Sequence, residues 1–250
     1  MCYIIIKFSV LWKGVCYLNY LFFDIECCNS HNICEFGYVL TDDKFNIIKQ
    51  EELLINPAKE FKIKTDESKF IDLTYNVEEY MKSPSFREYY EKIKDVITKD
   101  EQLIFGYAIN NDAYYLKTAC QRYHLTPISF TFYDIQIIFS KYYEMKEQLS
   151  LKKATSDLNL DLSCVFHRAI DDSIATLNLA KKLVLESKLK LEELVKKYEC
   201  CKGECNKNYI YNCKKEKEKQ EKYELNELRK KLNSGRLNYT IGDIFKDFKK

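Results

Sequence analysis

Short apolar stretches near the start of the chain follow the pattern of β-strands. Tyr20–Glu26 is continuous and rich in aromatic residues, as expected of a central strand that is buried on both faces. Ile33–Thr41 follows after a short connection, and the turn signal Asp42-Asp43 leads to a third stretch, Phe45–Ile55. Tight connections join neighbouring strands in opposite directions, so the pattern predicts an antiparallel meander of three strands.

Helical periodicity then alternates with two shorter apolar stretches. The predicted strands are Leu103–Gly106 and Ser129–Asp134. The predicted helices are Phe86–Thr98, Asp112–Tyr123, Ile137–Met145, Leu151–Leu158 and Ile170–Leu185. A meander followed by alternating helices and strands predicts an α/β fold, with a mixed five-stranded sheet flanked by helices.

The end of the chain differs in pattern and in charge. The pattern predicts a helix at Leu189–Tyr198, a cysteine-bearing loop at Cys200–Cys213, a charged helix at Lys214–Leu232 and a short apolar-periodic end. Residues 181–250 carry 20 Lys+Arg against 12 Asp+Glu, although the formal net charge of the chain is only +2. That net charge excludes a strongly basic nucleic-acid binder as a whole. The charged helix is either a solvated surface or a contact to a polyanion.

These differences divide the 250 residues into three segments. Residues 19–187 form the main domain, and residues 188–250 form a helical, Cys-containing basic tail. Residues 1–18 form an apolar N-terminal extension, which is either a translated upstream stretch or an extra strand or helix on the edge of the sheet.

Compartment and membrane association follow from the cysteines and from run length. The 11 cysteines are odd in number and show no regular disulfide framework, which predicts a reducing, cytoplasmic location. The uncharged run Gly14–Phe23 has 10 residues and is too short to span a bilayer, so no membrane partner is predicted.

Two carboxylates mark the end of the first predicted strand. Asp24 and Glu26 are two positions apart, so in a strand they point to the same face. Burying two like charges is costly unless a cation neutralises them, and hard oxygen ligands suit Mg²⁺ or Mn²⁺. A solvated strand end is the alternative explanation.

Two further carboxylates lie at predicted helix starts. Asp112 follows a strand and a loop, where it could also be a helix cap, although Asn110 or Asn111 could cap in its place. Asp172 lies in the first turns of a helix, within its apolar stripe, and His167 lies just before that helix. Taken alone, such a histidine is more often a surface residue than a catalytic one.

Together these motifs resemble the DEDDh exonuclease family, which includes RNase T and the proofreading 3′→5′ exonucleases. Phe23–Glu26 is similar to the first motif, Asn111–Leu116 to the second, and His167–Ser173 to the third. A histidine five residues before the aspartate favours Asp172 over Asp171, and Arg168 stands where the sister subfamily has tyrosine. The resemblance covers roughly residues 19–187, which would be the exonuclease domain, and it implies an RNase H-like fold.

The resemblance implies hydrolysis with two Mg²⁺ or Mn²⁺ ions per site. Asp24, Glu26 and Asp172 would hold one ion, Asp24 would contribute most to the second, and Asp112 would complete the carboxylate set. His167 would take the proton from the attacking water. The substrate would be single-stranded or otherwise 3′-ended DNA or RNA, and the product a nucleoside 5′-monophosphate.

Two features depart from or fall outside the family pattern. Many relatives have Thr-Gly after the glutamate, whereas this chain has Cys27-Cys28-Asn29-Ser30, so the substrate pocket is expected to differ. Zinc is a separate candidate ligand in the tail, because Cys200, Cys201, Cys205 and Cys213 supply four thiolates. No Cys-x-x-Cys pair is present, and a cysteine-rich loop is the alternative.

A function from another class is also open. The chain could be a nucleic-acid-binding or interaction module with a decayed exonuclease site. All five expected residues are present, which argues against decay.

Overall fold

The computed structural model describes residues 18–29, 31–59, 73–160, 162–206 and 210–212, with residues 222, 225, 226 and 230. The predicted extension 1–18, apart from residue 18, lies outside the described residues. So do Cys213, most of the predicted charged helix and the apolar-periodic end.

The meander is present as predicted. Its strands are β1 (Asn19–Cys27), β2 (Ile33–Thr41) and β3 (Ile47–Leu54), and β2 pairs antiparallel with both neighbours. All nine residues of β2 are buried, as expected of a strand covered on both faces. The β1–β2 register places Asp24 opposite Gly37 and Glu26 opposite Glu35.

The rest of the described chain alternates helices with strands. The helices are α1 (Val77–Lys82), α2 (Phe86–Ile97), α3 (Asn110–Arg122), α4 (Ile135–Tyr142), α5 (Leu151–Asp157), α6 (Ala169–Ser187) and α7 (Leu191–Lys197). The strands are β4 (Gln102–Gly106), β5 (Phe130–Asp134), β6 (Lys202–Cys205) and β7 (Ile210–Asn212). β4 pairs parallel with β1 and with β5, so the sheet is mixed and its order is β3-β2-β1-β4-β5-β6-β7.

Two apolar cores cover the two faces of this sheet. One core joins Phe23 and Phe36 to Ile93 of α2 and Leu116 of α3. The other joins Phe22 and Phe105 of the sheet to residues of α4, α6 and α7. Burying side chains of this size stabilises the fold by roughly 1.5–3 kcal/mol each. The sheet therefore forms the layer between the two cores, and β1 lies inside it between β2 and β4.

The prediction of five strands was wrong in number. The segment predicted as a cysteine-bearing loop contains a short 3₁₀ turn (Glu199–Cys201) followed by β6 and β7, which extend the sheet to seven strands within the described residues. β6 pairs antiparallel with β5, and Leu191 and Leu194 of α7 are buried in the second core. The domain boundary after Ser187 stays a prediction, but residues beyond it pack against the predicted exonuclease domain.

Among the described residues, no helix has both the length and the apolar character needed to cross a membrane.

Candidate active site

The first two carboxylates lie where β1 leaves the apolar core. Phe23, Ile25 and Cys27 are buried, whereas the alternating Asp24 and Glu26 remain partly accessible. The alternation therefore places both carboxylates on one face of the sheet, as the sequence predicted.

Helix α6 reaches this face because β2 has a glycine there. A Cβ on Gly37 would lie 2.6 Å from the carbonyl oxygen of Ala169 and closer still to the backbone nitrogen of Ile170. The Ser173 hydroxyl fastens the same contact by donating to the Gly37 carbonyl oxygen at 3.0 Å. Since Gly37 pairs with Asp24 across the strands, this approach brings the first turn of α6, and with it Asp172, to the carboxylates of β1.

Asp112 enters the site from α3. Its Oδ1 accepts the backbone N–H of Ile25 at 3.0 Å. Because Ile25 lies between Asp24 and Glu26 in the chain, this bond holds the Asp112 carboxylate against β1. The interpretation that Asn110 or Asn111 caps this helix was wrong. The N-cap position is Ile109, without a side-chain cap, and the side-chain oxygen of Asn110 is buried with no partner among the described residues.

His167 lies just before α6 with its side chain directed outward. The side chain is 66% exposed, and Nδ1 lies 3.8 Å from Oε1 of Glu26. Its backbone N–H donates to Oδ2 of Asp172 at 3.2 Å, and its φ of 69° lies in the left-handed region. This turn allows one residue to orient Asp172 through the backbone and to present an imidazole toward Glu26.

The structure brings the predicted residues together and leaves one carboxylate oxygen without a hydrogen bond. Glu26, His167 and Asp172 each offer a ligand atom within 4.8 Å of the others, the one such group among the described residues. The Oδ1 atom of Asp172 is buried and has no hydrogen-bond partner there. An unpartnered buried carboxylate oxygen beside further carboxylates fits a hard divalent cation.

Electrostatics support the same fit. Burial raises the pKa of Asp24 well above its usual range, and Asp112, Glu26 and Asp172 raise it further. Burial and then Glu26 likewise raise the pKa of Asp112, and they raise the pKa of Asp172 to about 7. Like charges crowded in a poorly hydrated place favour protonation, unless a cation takes the place of the protons.

Sequence reasoning missed the residues that hold the start of α6. Glu35 accepts the backbone N–H of Ala169 at 3.0 Å. Arg168 forms a salt bridge with Glu52 at 2.7 Å and donates to the Tyr75 hydroxyl at 2.6 Å. Glu35 carried a usable signal, because it is a charged residue inside an otherwise apolar strand. The partner of Arg168 could not be found from the sequence, since Glu52 lies 116 positions away.

The described cysteines do not form a zinc site by themselves. Cys201 is buried in the second core, whereas Cys205 is buried in the first core and donates to the Ala113 carbonyl oxygen at 3.7 Å. No metal-holding group within the described ranges includes Cys200, Cys201 or Cys205. The fourth predicted ligand, Cys213, lies outside them, so the zinc site stays a prediction.

Carboxylates and a histidine therefore converge beside β1 in a mixed sheet. A family model described as Exonuclease, of the RNase T type, matches residues 21–180. The chain therefore belongs to this exonuclease family, and the resemblance to the DEDDh group is confirmed.

Solved structures of exonuclease I share the fold. One, from E. coli in complex with a 5cy-dT13 oligonucleotide, is 16% identical, has a TM-score of 0.56 and is matched over 72% of this chain and 43% of its own. Another exonuclease I structure is 18% identical with a TM-score of 0.61 and the same two coverages. The zinc-bound E. coli complex with ssDNA is 16% identical, has a TM-score of 0.59 and again has coverages of 72% and 43%.

The chain thus spans less than half the length of these relatives. At such identities the likeness supports the RNase H-like fold alone. No curated protein sequence matches the chain.

Proposed function

We propose that the chain is a two-metal-ion 3′→5′ exonuclease that releases nucleoside 5′-monophosphates. The observation that carries this proposal is the convergence of four carboxylates and one histidine from β1, α3 and the start of α6, with one buried aspartate oxygen left unpaired. This donor set suits phosphodiester hydrolysis assisted by Mg²⁺ or Mn²⁺.

The carboxylates would hold the cations. Asp24, Glu26 and Asp172 are the proposed ligands of one ion, Asp24 contributes to a second, and Asp112 completes the set. When bound, a pair of divalent ions lowers the pKa of a water molecule and stabilises the charge on the leaving oxygen. The backbone bonds to Asp112 and Asp172 hold these two side chains in place before any ion arrives.

His167 is the proposed general base. Its ring is exposed toward solvent, where it can receive a proton from the attacking water and pass it on. Glu26, with Oε1 3.8 Å from Nδ1, stabilises the imidazolium that forms. Because the ring also lies within reach of Glu26 and Asp172, Mn²⁺ binding by a His167→Ala variant distinguishes a base from a ligand.

Exposed rings next to the site favour a single-stranded substrate. Tyr114 and Tyr115 follow Asp112 on α3, and Tyr114 is 45% exposed. The ring centroid of Tyr114 is 6.2 Å from that of Tyr115 and 5.5 Å from that of His31. Unpaired bases stack on such surfaces irrespective of sequence. Exonuclease I has been solved in complex with ssDNA, which supports the same class of partner here.

One experiment tests the direction of degradation, the product released and the preferred substrate. Oligonucleotides of DNA and RNA, single-stranded and duplex, are labelled at the 5′ end and incubated with Mg²⁺ or Mn²⁺. A 3′→5′ exonuclease shortens the labelled strand stepwise and releases 5′-monophosphates that chromatography identifies. Closed circular single strands must stay intact, because they have no 3′ end. An Asp24→Ala variant purified in parallel controls for contaminating nucleases.

Each outcome discriminates between functions. Stepwise shortening that requires the metal and is lost in the Asp24→Ala variant supports the proposal. Cleavage of the circle would indicate an endonuclease instead. Binding of oligonucleotides without any product, at every metal concentration, would indicate the binding or interaction module with a decayed site.

A further inference from the structure

Glu35 is a buried acidic residue that has no role in the proposed reaction. It has 0% exposure and lies in β2 opposite Glu26. A carboxylate removed from water is costly unless its oxygens find hydrogen-bond donors. A residue of this kind in the interior therefore calls for an explanation by its contacts.

Both oxygens of Glu35 are used, and they join three parts of the fold. Oε2 accepts the N–H of Ala169, the first residue of α6, and Oε1 accepts the hydroxyl of Tyr80 in α1. The first N–H groups of a helix have no partner inside it, and the N-cap residue of α6, Arg168, supplies no side-chain cap. Glu35 thus caps α6 from a neighbouring strand, where a negative charge also suits the helix dipole.

We propose that Glu35 is a positioning residue that fixes where α6 begins, and thereby sets the positions of the metal ligand Asp172 and the general base His167 relative to Glu26. The inference rests on the proposed function, because it takes Glu26 and Asp172 as metal ligands and His167 as the general base. Ala169 lies two residues after His167 and three before Asp172, so a shift of the helix start moves both. Loss of a residue that orients a metal ligand commonly lowers metal affinity by roughly 10- to 100-fold.

Three variants separate positioning from plain stability. Glu35→Met fills similar space but accepts no hydrogen bond, so we expect Mn²⁺ affinity to fall by roughly 10- to 100-fold. Glu35→Gln should restore most of it, because its carbonyl oxygen can accept from Ala169 while its amide donates to Tyr80. Ala169→Pro removes the N–H donor at a first helical position, where proline is tolerated, and should weaken Mn²⁺ binding in the same direction.

A matched control lies at the other end of β1. The Tyr20 hydroxyl donates to Glu192 at 2.6 Å and links the sheet to α7, away from the carboxylates. Tyr20→Phe breaks this bond between a tyrosine and a carboxylate and should leave Mn²⁺ affinity unchanged. Any general effect of loosened packing would appear equally in this variant.

The readout is binding of Mn²⁺ to the full chain without substrate, measured by the electron paramagnetic resonance signal of the free ion, beside thermal unfolding. Weak binding in Glu35→Met with recovery in Glu35→Gln supports the inference. Parental affinity in Glu35→Met overturns it, whatever the change in stability. If Glu35→Met does not fold, parental affinity in Ala169→Pro overturns it instead. Failure of the unaltered chain to bind Mn²⁺ or to cleave would refute the proposed function itself.

Discussion

Gly37 offers the sharpest test of how the fold builds the site. The substitution Gly37→Ala adds a single methyl group in the middle of β2, at a position without any catalytic atom. The new carbon would lie 2.6 Å from the Ala169 carbonyl oxygen, whereas ordinary contacts begin at 3.4 Å. The obstacle is backbone and not a flexible side chain, so α6 or β2 must move as a unit by about 0.8 Å or more to accept it.

The expected loss follows from that displacement. Asp172 is carried by the first turn of α6, and Asp24 lies opposite Gly37, so the shift acts directly on the spacing of their carboxylates. A misplacement on the order of 1 Å can cost roughly 10²-fold in rate. Overpacking of a core by one methyl typically costs about 1–3 kcal/mol of stability, which a folded domain can survive.

The assay compares single-turnover cleavage of a 5′-labelled single strand by the parent and by Gly37→Ala, with unfolding measured on the same preparations. Gly106→Ala is the comparison variant, since the three atoms nearest to a Cβ there, at 2.9 Å, belong to the side chain of Ile109 and none of them to the backbone. We expect the rate to fall about 10²-fold in Gly37→Ala and much less in Gly106→Ala. A Gly37→Ala variant that is folded and cleaves at the parental rate would refute the argument that this close approach sets the site.

Three further predictions concern charge, proton transfer and the tail. In the metal-free chain the pKa of Asp172 is about 7 against an ordinary 3.8, so the folded state holds more protons between these values and stability falls as pH rises through them. Asp172→Asn should weaken that pH dependence and unfold at about pH 7.5 no earlier than the metal-free parent; a lower melting temperature would contradict the repulsion argument. His167→Ala should cleave roughly 10²–10⁴-fold more slowly, regain part of the rate at higher pH and bind Mn²⁺ normally, whereas lost Mn²⁺ binding would make His167 a ligand. A chain truncated after Ser187 loses the buried Leu191 and Leu194 and the pairing of β6 with β5, and should be less stable by several kcal/mol than one ending after Asn212. Equal denaturation midpoints for the two truncated chains would show that this packing contributes little.

The parts of the site that follow local periodicity could be predicted from the sequence. Asp24 and Glu26 share a face because strands alternate, and Asp172 lies in the first turn of α6, as the helical pattern indicated. The structure also confirms the predicted meander and the mixed sheet. The positions of the three carboxylates each follow from the periodicity of a single strand or helix.

Features that depend on distant partners could not be predicted in this way. β6 has the sequence Lys-Gly-Glu-Cys, with no apolar alternation. It becomes a strand because it pairs with the edge of β5, which lies about 70 positions earlier in the chain. Likewise Asp112 resembled a helix cap until the N–H of Ile25, 87 positions away, proved to be its partner. Backbone groups left unpaired by the local structure determine both outcomes.

The left-handed turn at His167 has a consequence for how this chain can change. A residue with a side chain at φ 69° is strained by roughly 1 kcal/mol, and glycine or asparagine would relieve much of that strain. Stability and function therefore favour different residues at the same position. A laboratory population selected only for thermal resistance would drift toward glycine or asparagine at 167, whereas one selected for degradation of nucleic acid would retain the imidazole. The residue at position 167 would thus indicate whether a population was selected for stability or for activity.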